Sequence, residues 1–225
     1  MSFFTRSNSY TPQDEEGEII SGKIILIGDS TVGKTSILYR FLKDKFFLDP
    51  SITLGVEMSS KKMRINSNKY IILNIWDSAG QERYKSLTYH FYTGIIGAIL
   101  VFDLTQEKTL MSIKEWKIQI EKHAPPNILL VLVGNKDDEA SSLMNKSTID
   151  TEIYNLGIKY FECSAKTGKN IQHMFNYVAE GIFEKIKKKR EEEDQDENPR
   201  SNSMIIKYQK KEGTPDPNKI PNCCF

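Results

Sequence analysis

Eight residues, Gly28-Asp29-Ser30-Thr31-Val32-Gly33-Lys34-Thr35, leave the chain around them little freedom. They follow the apolar run Lys23-Ile24-Ile25-Leu26-Ile27 directly and open a stretch of helical spacing from Thr35 to Leu42, with Ser36 as the next residue in. Glycines at both ends let the backbone curl, so that successive N–H groups and the helix N-terminus face one point. With Lys34 as a point charge, that point suits the outer phosphates of a polyphosphate, and the Thr35 hydroxyl suits Mg²⁺. A glycine-containing turn that happens to carry Lys and Thr is the plainer alternative. Taken alone, the segment indicates a nucleotide and does not say which one.

Further short apolar runs at Ile71 to Ile75, Ala98 to Phe102, Leu129 to Val133 and Tyr160 to Cys163 read as strands buried on both faces, as in parallel sheets. Met58 to Ile65 alternates more and suits an edge strand. Helical spacing recurs at Leu110 to Lys122, Ile149 to Leu156 and Ile171 to Ile186. Strands alternating with helices predict an α/β fold: a mostly parallel six-stranded sheet with one antiparallel edge strand and helices on both faces. Ligands of such sheets sit at the carboxyl ends of the strands.

Three segments follow from composition: a polar arm over residues 1–18, a globular body over 19–188, and a tail over 189–225 in which a basic run gives way to an acidic one and then to Pro, Asn, Ser and Lys without periodicity. The formal charge of the 225-residue chain is +1, so no charge excess marks a nucleic-acid binder. Its three cysteines, two of them adjacent at Cys223 and Cys224, exclude a disulfide-stapled scaffold. The N-terminus lacks a signal-peptide pattern, and no apolar run approaches the ~18 residues of a membrane span, so neither export nor a transmembrane segment is expected.

Two more constellations fall at strand ends. Asn135-Lys136-Asp137 follows Leu129 to Val133. Guanine presents two donors, N1–H and N2–H₂, which one carboxylate accepts together; adenine has no matching pair, and Asp137 is therefore expected to select guanine. Such a site discriminates by about 10⁴ or more, because the wrong base leaves a buried acceptor unpaired. The adjacent Ser164-Ala165-Lys166 is placed to aim a backbone N–H at guanine O6, though an ordinary strand-to-helix turn reads the same way. Trp76-Asp77-Ser78-Ala79-Gly80-Gln81-Glu82 offers a carboxylate for Mg²⁺ at Asp77, a backbone N–H for a terminal phosphate at Gly80 and an amide to position attacking water at Gln81. Thr53 is a second candidate hydroxyl for Mg²⁺.

These elements, in this order and spacing, resemble the Ras superfamily of small GTPases over Ile19 to about Lys188. Leu54-Gly55-Val56-Glu57-Met58, Arg83-Tyr84-Lys85-Ser86-Leu87, Phe91-Tyr92-Thr93-Gly94 and Leu100 to Thr105 resemble segments of its Rab family, and Cys223-Cys224-Phe225 agrees. The resemblance implies a single P-loop GTPase domain that cycles between GDP and GTP with Mg²⁺, hydrolyses GTP slowly and recruits effectors in vesicle transport. It further implies that Phe46 packs against guanine and that the segments near Thr53 and Gln81 are switches. Met58, Trp76 and Phe91 resemble the exposed apolar triad that Rab effectors read, although all three also suit a core. Exchange factor, GTPase-activating protein and GDP-dissociation inhibitor are the implied partners of a monomer. The cysteine pair resembles doubly geranylgeranylated ends, which would hold the chain on the cytoplasmic face of an intracellular membrane, with a cytosolic pool.

Overall fold

The structure, a computed structural model, describes residues 17–47, 56–78, 89–139 and 144–195. The described residues form six strands: β1 (Glu18–Ile27), β2 (Val56–Asn66), β3 (Lys69–Ser78), β4 (Ile95–Asp103), β5 (Leu129–Asn135) and β6 (Lys159–Glu162). Among the described residues the helices are α1 (Lys34–Lys43), α2 (Tyr89–Tyr92), α3 (Glu107–Met111), α4 (Ile113–His123), α5 (Lys146–Leu156) and α6 (Ile171–Gln195). The sheet order is β2-β3-β1-β4-β5-β6, parallel throughout except for the antiparallel β2–β3 pair at one edge. This is the architecture that the alternation of apolar runs and helical spacing predicts.

The continuous apolar run of β1 serves two cores because successive strand side chains point to opposite faces. Ile24 and Leu26 join α1 and α6 in one cluster, which includes Phe41 stacked on Phe175 at 3.7 Å between ring centres. Ile25 and Ile27 join Leu110, Ile113, Ile120 and Ile149 in the other. Each face of the sheet is thus sealed by helices, and the polar ends of the strands are left at the edge where the loops gather.

Most elements differ from the sequence reading by a few residues at their ends, and three differences have a physical reason. β1 starts at Glu18 rather than Lys23, because its mixed first half, Glu18 to Gly22, is held by parallel pairing with β3, Glu18 opposite Lys69, and by Ile20 in the first core cluster. The predicted helix Leu110 to Lys122 is two, divided at Ser112. α6 runs on to Gln195, past both the end of its apolar spacing at Ile186 and the expected boundary at Lys188. Lys187, Lys188 and Lys189 each meet a glutamate four residues on, Glu191, Glu192 and Glu193, at 3.5, 3.8 and 3.6 Å. Charge pairing one turn apart carries that extension, each exposed pair adding only a few tenths of a kcal/mol. No described helix is long and apolar enough to cross a membrane.

Phe175, fully buried against Phe41, is the tightest test of the α1–α6 core. Phe175→Ala is expected to cost about 3–5 kcal/mol in urea unfolding, the range for a buried aromatic whose cavity does not collapse; a loss under about 1 kcal/mol would show that the two helices repack.

Candidate functional site

β1 ends at Ile27 and the chain must turn at once, under the carbonyl of Val101 on β4. A Cβ on Gly28 would lie 2.1 Å from that oxygen, and the residue sits at φ 149, so only glycine fits. The loop closes at Gly33, φ 95, where a Cβ would lie 2.3 Å from the side-chain nitrogen of Asn135. Between them Thr31 adopts φ 64, a left-handed conformation that β-branched residues rarely accept. Inside the curl Lys34, buried in the first turn of α1, donates from Nζ to the carbonyls of Gly28 and Asp29 at 2.9 and 2.8 Å.

Thr35 donates its hydroxyl to Asp77 Oδ2 at 2.5 Å, joining the first turn of α1 to the end of β3. Asp77 is fully buried, and its other oxygen, Oδ1, has no hydrogen-bond partner among the described residues. Burial pushes this carboxyl up to about 6 despite the Thr35 hydroxyl and the Lys34 charge, which pull the other way. A buried carboxylate with one oxygen unpartnered, beside a threonine hydroxyl, is a hard-oxygen donor set that suits Mg²⁺ or one of its waters.

At the far side of the loop, Asn135 ends β5 with its side chain 2.9 Å from the Val32 carbonyl, to which it donates, while its oxygen accepts the Ala165 N–H at 3.0 Å. Lys136 then turns left-handed, φ 69, and its ammonium pairs with the fully buried Asp103 at 2.6 Å. Asp103 also accepts from Thr105 and Gln106. Burial alone would raise the Asp103 carboxyl, but the Lys136 ammonium and the two Thr105 donors outweigh it and hold the group below the usual carboxylate range.

The next two residues divide the expected role of Asp137. The Asp137 carboxylate is taken up by the Lys169 ammonium, and its N–H bonds the Cys163 carbonyl at 3.1 Å. Asp138 instead faces the loop after β6. Ser164 donates its hydroxyl to Oδ1 at 2.6 Å, the Lys166 ammonium stands 3.4 Å from Oδ2, and Oδ2 accepts no hydrogen bond among the described residues. Burial raises the Asp138 carboxyl, yet Ser164, a backbone N–H and Lys166 together bring it below its ordinary value. The acid gathered with Ser164, Ala165 and Lys166 is therefore Asp138, one residue beyond the expected one. The two acids are adjacent in sequence, and the backbone reversal at Lys136 sends their side chains to different partners.

Sequence reasoning misses three further residues of the site. Arg40 on α1 donates to the carbonyls of Ala165 and Lys166 at 2.8 and 2.6 Å, fixing the loop after β6 to the helix that follows the phosphate loop. Asp103 holds Lys136, and only its place at the carboxyl end of a buried strand signals this. Trp116 on α4 donates to Asp29 at 2.8 Å, a contact across 87 residues that no local pattern shows.

Met58 and Trp76 oppose one another across β2 and β3. Met58 is 56% exposed, and Trp76 is half-buried beneath the Lys23 ammonium. Phe91 does not share that exposure: it is buried edge-on against Tyr92 in the second core cluster. Phe46 lies half-buried against the first cluster. Thr53, Gly80, Gln81, Cys223 and Cys224 lie outside the described residues.

The Ras family model matches residues 23–184. Ras-related protein SEC4 of Saccharomyces cerevisiae is 41% identical over 164 residues, covering 73% of this chain and 76% of its own. Ras-related protein RABA4a of Arabidopsis thaliana is 37% identical over 211 residues, 90% and 91% of the two chains. Ras-related protein Rab-25 of Oryctolagus cuniculus is 35% identical over 205 residues, 90% and 93%.

Because the folded-state value of Asp103 is depressed, its pairing stabilises the fold above the ordinary carboxylate pKa and is lost as pH falls through the folded value. Asp103→Asn is expected to cost about 1.5–3 kcal/mol at pH 7, the worth of hydrogen bonds to a charged group. Urea titrations of variant and parent should converge as pH drops below about 4; a gap that stays constant through that range would mean the charge contributes nothing.

Proposed function

We propose, for a chain that belongs to the Rab branch of the Ras superfamily of small GTPases, that it is a switch in vesicle transport which binds GTP and GDP with Mg²⁺, hydrolyses GTP slowly and recruits effectors while GTP is bound. The observation that carries this reading is the joining of two half-sites at one sheet edge. Asn135 bonds the phosphate loop at Val32 and the base loop at Ala165, so a ligand long enough to touch both is a nucleotide.

In this reading Gly28 to Ser36 cradle the phosphates by backbone N–H groups, with Lys34 turning its ammonium from the loop carbonyls to the outer phosphates. Thr35 and Asp77, joined by Thr53, would hold Mg²⁺. When bound, that ion supplies charge neutralisation on the phosphate oxygens. Base reading belongs to Asp138, whose Oδ2 accepts no hydrogen bond among the described residues, and not to Asp137, whose carboxylate Lys169 already neutralises. The Ser164 hydroxyl holds Asp138 in orientation, and the Ala165 and Lys166 backbone, braced by Arg40, faces O6. Phe46 covers the base.

Gln81 orients the attacking water, and the terminal phosphate holds Thr53 and Gly80 until it is lost; release of those segments is the switch. An activating protein that supplies an arginine would add about 10³ to 10⁵ in rate. Met58 and Trp76, the latter packed on the buried cluster that contains Phe91, form the face that effectors read. Two lipids on Cys223 and Cys224 would anchor the chain to the cytoplasmic face of an intracellular membrane, as a single chain does not. A GDP-dissociation inhibitor would then extract a cytosolic pool, and an exchange factor would reload it.

Nucleotide released from purified protein and separated by chromatography is expected to be GDP or GTP; recovery of ATP, or of none, would overturn the reading. Asp138→Asn is expected to shift preference from guanine to xanthine nucleotides and erase most of a discrimination of about 10⁴, while Asp137→Asn keeps guanine selectivity. The reverse pattern would return the role to Asp137. Gln81→Leu should slow single-turnover hydrolysis about tenfold or more with affinity spared; an unchanged rate removes Gln81 from the mechanism.

A further inference from the structure

We infer that the Trp116 indole is a positioning residue for the nucleotide site: its Nε1–H holds the Asp29 carboxylate off the backbone N–H groups that a phosphate must reach. The inference rests on reading Gly28 to Thr35 as the phosphate loop.

Asp29 is the only acid in that octapeptide. A free aspartate side chain accepts most readily from N–H groups two or three residues further on. From position 29 those belong to Thr31 and Val32, inside the curl. A carboxylate bonded there would fill part of the cradle with the loop's own anion and set a negative charge against the incoming one. The structure shows a different arrangement, with Asp29 Oδ1 accepting the Trp116 N–H at 2.8 Å. The donor is well fixed. Trp116 is half-buried, packs against the second core cluster and sits on α4, whose Ile113 and Ile120 are fully buried beneath the sheet. A rigid N–H in a helix outside the loop thus competes with the loop's own N–H groups for the carboxylate, and the cradle stays open for phosphate.

Removing the donor without removing the ring isolates this effect. In full-length protein loaded with a fluorescent GDP analogue and chased with excess unlabelled GDP, Trp116→Phe is expected to raise the dissociation rate about ten- to a hundredfold, the factor carried by one hydrogen bond to a charged group. In an Asp29→Ala background the same substitution should change the rate less than about twofold, since no carboxylate remains to be held. Equal acceleration in both backgrounds would reduce Trp116 to packing and overturn the inference, as would no acceleration in either. Should Trp116→Phe fail to fold, benzothienylalanine at position 116, which replaces the indole N–H by sulfur in the same outline, allows the same comparison with the same expected and overturning outcomes. Parent protein that binds no GDP would overturn the nucleotide reading along with this one, whereas tight parental binding without coupling between the two positions overturns this one alone.

Discussion

One buried amide holds the site in register. Asn135 is 2% exposed, and a buried amide must find partners for both its nitrogen and its oxygen or forfeit about 1–3 kcal/mol for each. It finds them in two different loops, the Val32 carbonyl and the Ala165 N–H. The spacing between the loop after β1 and the loop after β6, which the proposed site assigns to phosphate and base, is therefore set by the end of a strand. The same contact explains Gly33, since a side chain there would collide with the Asn135 nitrogen at 2.3 Å. Arg40 repeats the tie from outside, bonding two carbonyls of the base loop from the helix that the phosphate loop starts. Loops are ordinarily the loosest parts of a fold; these two are tied together by short polar cross-links, buried at Asn135 and nearer the surface at Arg40.

The two strands flanking β1 each carry a fully buried aspartate at or next to their carboxyl end, and the different surroundings of the two follow from their partners. Asp103, on β4, has Lys136, Thr105 and Gln106 on its carboxylate, and its charge is stabilised. Asp77, on β3, has one hydroxyl on one oxygen and, among the described residues, nothing on the other, and burial pushes its carboxyl up to about 6. A folded protein keeps so poorly compensated an acid only at a cost in stability, a cost that a cation bound there, as proposed, would recover. The satisfied acid is structural. The unsatisfied one is where ligand chemistry is expected: neither side chain is exposed to solvent, and their hydrogen-bond partners separate them.

Most of the fold is legible in the sequence because its signal is local. Uninterrupted apolar runs such as Ala98 to Phe102 fit only strands covered on both sides, and the Gly28 to Thr35 pattern fixes a strand, a turn and a helix together. What the sequence hides is carried by long-range geometry. The mixed first half of β1 is a strand because β3 pairs with it, and α6 outlasts its apolar face because charges pair one turn apart. Resemblance groups Phe91 with Met58, yet a four-residue helix turns Phe91 into the core while Met58 stays on the edge strand. The Trp116 bond to Asp29 joins residues whose pairing exists only once the sheet has formed.

The acid pair shows the same limit at the scale of a single residue. Base selection needs a carboxylate that is ionised, oriented and unspent, and the sequence supplies two neighbours equal in charge. Position decides between them through what each has already bonded. Lys169 neutralises Asp137 from the side, and a base that used that carboxylate would first have to break the pair. Ser164 bonds one oxygen of Asp138 and fixes its plane. The other oxygen is left without a hydrogen bond among the described residues, while Lys166 favours the charged form from 3.4 Å away. An acceptor prepared in this way meets two adjacent donors at little cost in reorganisation, and an adenine edge, with no such pair, leaves it buried and unpaired. Guanine selectivity of the proposed site would thus be set as much by Ser164, which spends its hydroxyl on orientation, as by the acid proposed to read the base.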